Sequence, residues 1–146
     1  MFSSVPPCLC EKKNRTMSFV PSIVRKALFY IAVGCMFFMS LWPKGYVEAN
    51  VSPEIQSKDF LIHAIAYLMY ASVALFAYGD RERPWKSRGI VWVACTAFGV
   101  LMEILQETIP GVNRSCQLSD MLSNALGACI GVLFFLPRFW PEIEKR

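Results

Sequence analysis

Four long runs, residues 27–42, 60–78, 89–102 and 121–136, carry almost no charge, and they restrict this chain to very few folds. Extended slightly at their ends, each reaches about 17 to 20 residues, close to the ~20 that a helix needs to cross a ~30 Å hydrocarbon core. The alternative is a very apolar soluble bundle, whose helices would need polar faces recurring near every 3.6 residues. The middles of the four runs have no such faces. Composition agrees, with 55% hydrophobic against 18% charged residues and a mean hydropathy of +0.39. The expectation is an all-α fold: an integral membrane bundle of four transmembrane helices, in the single domain that 146 residues allow.

The net charge of +4 matters less than where the charges fall. Lys12, Lys13, Arg15, Arg25 and Lys26 precede the first run, Arg81, Arg83, Lys86 and Arg88 separate the second from the third, and Arg138, Lys145 and Arg146 follow the fourth. Only Lys44, Lys58 and Arg114 lie on the opposite side. The positive-inside rule then predicts both termini and the middle loop in the cytoplasm. The basic residues mark orientation rather than a phosphate-binding surface, and no nucleic-acid partner is expected. The reading divides the chain into a cytoplasmic N-terminal tail (1–26), a transmembrane domain (27–137) and a cytoplasmic C-terminal tail (138–146). Met17 is an alternative start, and Val47-Glu48-Ala49 resembles a signal-peptidase site. A long basic region before the first run, and Pro43 well ahead of that site, favour a retained helix.

The six cysteines form no framework and show no C-x-x-C spacing. Cys8 and Cys10 lie in the tail and Cys116 in a loop, while Cys35, Cys95 and Cys129 read as small apolar packing residues.

Against this apolar background the polar residues are conspicuous. Asp59, His63 and Tyr67 are spaced by four and share one face of the second helix. Glu103, Gln106 and Glu107 close the third helix, and a turn at Pro110 and Gly111 leads to a loop carrying Arg114. Asp120, Asn124, Gly127 and Gly131 line one face of the fourth helix, which Asp120 can also cap. Gly127 and Gly131 form a G-x-x-x-G pair suited to a close crossing, within the chain or between two copies in a homo-oligomer. At 1.5 Å of rise per residue, His63 and Asn124 lie about 6 Å, and Glu103 about 5 Å, beneath the outer surface. Three helices thus bring Asp, His, Glu and Asn to one level. A lone His is often purely structural, Asp120 and Arg114 could be a cap and an interfacial ion pair, and Glu103 could snorkel. Their coincidence in depth favours a polar cavity.

These elements resemble the VanZ-like family of small multi-helix membrane proteins. The family pattern has an Asp and a His near the start of one helix, then Glu-x-x-Gln, a Pro-Gly-Arg turn and Asp-x-x-x-Asn-x-x-Gly-x-x-x-Gly. Asp59 and His63, Glu103 and Gln106, Pro110 and Gly111, Arg114, Asp120, Asn124, Gly127 and Gly131 match it. The chain departs in having Val112 and Asn113 before Arg114, and Ala64 where the family often has Phe. The namesake is associated with resistance to the glycopeptide teicoplanin, so the resemblance implies a protein of the cell envelope, in the bacterial cytoplasmic membrane.

Three functions suit these residues. The first is an enzyme acting on a lipid-linked or surface envelope molecule. There Glu103, His63 and Asp120 would be the catalytic candidates, and Asp59, Gln106, Arg114 and Asn124 would bind, with Arg114 holding an anionic group. Ser119 and Cys116 are nucleophile candidates by position alone. The second is a non-catalytic module binding an envelope lipid, a glycopeptide-type antibiotic or a partner protein. The third is a small transporter subunit. A metal at Asp59, His63, Glu103 and Asp120 would have hard or borderline ligands, but the reading assigns no metal and no cofactor.

Overall fold

The computed structural model describes residues 20–50, 52, 58–80, 82–112 and 116–135. Its elements are α1 (Ser22–Ser40), α2 (Lys44–Asn50), α3 (Asp59–Tyr78), α4 (Pro84–Thr108) and α5 (Leu118–Phe134), with no strand among the described residues. The four long helices are those expected. Three of them, α1, α3 and α4, are long and apolar enough to cross a membrane, and α5 is a shorter apolar helix of 17 residues.

Several boundaries differ from the sequence reading, each for a local reason. Helix α1 starts at Ser22, because Pro21 holds an extended backbone just ahead of the first turn and its carbonyl accepts from Val24 and Arg25. Helix α4 starts at Pro84 rather than near Gly89. Proline suits a helix's first turn, since its missing N–H has no intrahelical partner there. The stretch after Pro43, expected as plain loop, contains α2, whose Tyr46 N–H bonds to the Pro43 carbonyl. Helix α5 starts at Leu118, with Gln117 as the flanking residue and no side-chain cap, so Asp120 lies inside the first turn and does not cap the helix.

The surface of the bundle fits lipid rather than water. Ile23 and Phe134 are each 78% exposed, and Tyr30, Ile31, Phe38, Met69, Trp85 and Leu118 are also outward-facing. Arg25 is the one buried residue of α1, with its guanidinium 6.0 Å from the Phe76 ring centroid. At the α4–α5 corner, Arg88 covers the Trp85 ring and donates to the Phe135 carbonyl.

Helices α3 and α5 are the most extensively paired, and α5 then packs on α4 and α1 on α3. Small residues make the central crossing possible. A Cβ built on Gly127 would lie 2.8 Å from Ala64 Cα, and one on Gly131 would lie 2.5 Å from the Leu68 carbonyl oxygen. The G-x-x-x-G pair is therefore used within the chain. Around it pack Tyr67, Tyr70, Ala71, Ala74, Leu75, Val91, Cys95, Ala128 and Val132. Phe29 of α1 stacks on Tyr70 at 5.8 Å, and Phe37 meets Phe98 of α4 at 5.2 Å, so α1 is a working wall of the bundle.

Gly127→Ala and Gly131→Ala should each lower stability by about 1–3 kcal/mol, because a methyl group has to displace α3 backbone. Gly34→Ala, where a Cβ meets nothing within 4 Å, should melt like the parent in detergent. Equal melting of all three variants would place α3 and α5 further apart.

Candidate functional site

The polar residues converge where α3 and α5 begin and α4 ends. On α3, Asp59 opens the helix, and His63 follows one turn later with Nε2 3.7 Å from Asp59 Oδ1. The Gly127–Ala64 contact carries the neighbouring turn of α5 against His63. There Asn124 Oδ1 lies 3.0 Å from His63 Nδ1, an arrangement in which the imidazole N–H donates to the amide oxygen. Asp120, one turn before Asn124, is buried, and its Oδ1 accepts from Ser119 Oγ. Asp59, His63 and Asp120 each place one potential ligand atom within 4.8 Å of the other two.

Helix α4 supplies Glu103. The helix runs on to Thr108, so Glu103 lies five residues from its end, about 7.5 Å deep. Its side chain is 1% exposed and therefore does not snorkel. Its Oε2 lies 3.5 Å from the Gln117 backbone N–H, which donates to it from the foot of α5. One turn below, Gly99 makes room for α5 and α3. A Cβ there would stand 3.1 Å from Asn124 Nδ2 and 3.2 Å from the Tyr67 ring.

Not every expected residue joins this layer. Gln106 is buried but turns the other way, donating from Nε2 to the Ser40 carbonyl at 2.7 Å and so tying α4 to the end of α1. Glu107 is exposed. Arg114, the tail cysteines Cys8 and Cys10, and Met17 lie outside the described residues. Two contributors were not anticipated. Ser123, wholly buried, donates to the Phe60 carbonyl and stitches α5 to the first turn of α3. Gly99 stands four residues before Glu103 on the same face, and that spacing was the available sign of it.

The turn leaving α4 has the shape its residues require. Val112 N–H returns to the Ile109 carbonyl, and Gly111 between them has φ +98°, a conformation that disfavours side chains. Beyond it, partial burial pushes the Cys116 thiol above its ordinary range, and the carboxylates of Glu107, Glu103 and Asp120 push it further the same way. The carboxylates of Glu107, Glu103 and Asp120 thus act on the loop that joins α4 to α5.

Helices of this length and hydropathy suggest a small integral membrane protein, in which Glu103, Asp120 and Asn124 are buried and His63 half-buried toward the same end of three helices. The sequence model of the VanZ/LLP1 family matches residues 7–140, and the chain belongs to that family. Membership fits a membrane protein of the cell envelope linked to glycopeptide resistance. No curated protein and no solved structure matches the chain.

A raised thiol pKa means less thiolate at neutral pH, so Cys116 should alkylate more slowly than a free cysteine and catch up only as the pH rises. Glu107→Gln removes one of the opposing charges and should speed alkylation at pH 7.5, measured with Cys116 as the only thiol. An unchanged rate would mean that the Glu107 carboxylate does not act on it.

Proposed function

We propose that this protein serves the bacterial cell envelope from the cytoplasmic membrane. Its polar layer takes the head of a lipid-linked or surface envelope molecule and thereby lowers sensitivity to glycopeptide-type antibiotics. The observation that carries the reading is the burial of Glu103 against the foot of α5, the helix whose Asn124 pairs with His63 of α3, while Asp59 at the start of α3 stays more exposed. A carboxylate costs ~3 kcal/mol at mid-membrane and less toward the interface. Glu103, five residues from the end of α4, is held inside the protein by the Gln117 N–H rather than turned out to the surface. A carboxylate in such a site can exchange a proton with a bound hydroxyl or phosphate group, which is general acid–base chemistry. In this reading the distribution of basic residues puts the layer at the outer face, where envelope precursors are used.

Two experiments test this. In intact cells a membrane-impermeant thiol reagent should label Cys116 but neither Cys8 nor Cys10; labelling of the tail cysteines alone would put the layer on the cytoplasmic side. Glu103→Gln keeps shape and most hydrogen-bonding capacity while removing the charge. It should accumulate normally and lose the antibiotic-tolerance phenotype, with Asp120→Asn and His63→Gln behaving alike. Double variants should be no worse than singles if the residues act as one unit. Tolerance retained in all three at matched membrane abundance would make the layer structural.

A further inference from the structure

We infer that Asn124 is a positioning residue: it holds the neutral His63 ring with its proton on Nδ1 and so presents Nε2, on the side of Asp59, as a bare acceptor. The inference deepens the envelope reading and rests on it for one point only, that a hydroxyl-bearing head is what arrives. His63 is the single histidine of the chain, so this one ring carries all of its imidazole chemistry.

The two sides of the ring differ in distance. Asn124 Oδ1 lies 3.0 Å from Nδ1, inside hydrogen-bond range, whereas Nε2 stands 3.7 Å from Asp59 Oδ1, outside it. An amide oxygen only accepts, so the nitrogen facing it has to carry the hydrogen. The opposite tautomer would set two lone pairs against each other. Asn124 is 1% exposed, and bulk water cannot stand in for the lost donor. A buried acceptor stripped of its donor is disfavoured about 5- to 150-fold, which keeps the proton on Nδ1.

The surroundings fix the amide in place. Ser123 donates to the Phe60 carbonyl, and Gly127 lies so close to α3 that a Cβ on it would stand 2.8 Å from Ala64 Cα. Residues on either side of Asn124 are thus tied to residues on either side of His63. Gly99 of α4 closes the amide in from behind. A Cβ there would lie 3.0 Å from Asn124 Cβ and 3.1 Å from Nδ2, so Nδ2 faces α4 while Oδ1 faces His63. Nε2 looks instead toward Asp59, whose side chain is 42% exposed. A bare imidazole nitrogen there can take a hydrogen bond, or a proton, from a bound hydroxyl. An amide that merely filled space would leave the choice of nitrogen open.

The test is 15N NMR of the full-length, tag-free protein in nanodiscs, labelled at histidine, at a pH high enough that the ring signals no longer move. Protonated and bare ring nitrogens resonate far apart, and couplings to the ring hydrogens tell Nδ1 from Nε2. The parent should show Nδ1 protonated and Nε2 bare, with the other tautomer at most about one fifth as abundant. Asn124→Leu keeps bulk but removes the acceptor and should move the proton to Nε2. Asn124→Ala, a second variant in case the first disturbs packing, should do the same. The parent spectrum decides even if neither variant folds: a neutral ring protonated on Nε2 means that the amide turns Nδ2 to His63, and it overturns the inference. A proton that stays on Nδ1 in both variants overturns it as well. The envelope reading is judged separately, since it fails if Glu103→Gln, Asp120→Asn and His63→Gln all keep their tolerance, whatever the tautomer.

Discussion

The close crossing of α3 and α5 is the constraint on which the rest of this molecule depends. In lipid, helices gain little by hiding apolar side chains from one another, so association rests on contact at short range and on hydrogen bonds. Gly127 and Gly131 allow α5 to lie on the backbone of Ala64 and Leu68, and every neighbouring residue is placed by that approach. Ser123 reaches the Phe60 carbonyl and Asn124 reaches His63 because the two backbones are already this close. A methyl group at Gly127 would separate a hydrogen-bonded pair one turn away as well as a packing contact.

The same crossing separates the bundle into two chemical levels. Below it lie Tyr70, Ala71, Ala74, Leu75 and Val132, apolar except for one phenol. Above it lie Glu103, His63, Asp120 and Asn124, near one end of the three helices. Tyr67 and Gly99 stand at the boundary. The absence of a side chain at Gly99 lets the ring of Tyr67 and the amide of Asn124 meet α4 there. Helix α1 takes no part in the polar level. It is fastened instead by aromatic contacts along its length and by the Gln106–Ser40 bond at its end.

Much of this was legible from the chain alone, for physical reasons. Hydrophobic runs report crossings because lipid tolerates so few alternatives, and the four long helices appear where the runs predict. Residues four apart share a helix face, so Asp59, His63 and Tyr67, and Asp120, Asn124, Gly127 and Gly131, could be grouped without coordinates. What spacing does not give is direction toward a particular neighbour. Gln106 stands three residues from Glu103, near enough to be grouped with it, yet it faces α1. Helix ends were the other weak point. Pro84 and Gln117 set starts that the apolar runs alone place several residues later, which moved Asp120 from a capping role to an inward-facing one.

The unequal lengths of the helices bear on the membrane itself. Helix α4 has 25 residues and α5 has 17, so at 1.5 Å per residue they span ~38 Å and ~26 Å. Much of the extra length of α4 is polar, with Lys86 and Arg88 at one end and Glu103, Gln106 and Glu107 at the other. A ~30 Å core meets an apolar helix as short as α5 by thinning, by snorkelling side chains or by helix association. Thinning would draw lipid headgroups inward along α5, the helix that carries Asp120 and Asn124. Such a dip would shorten the path between the membrane surface and the buried acids.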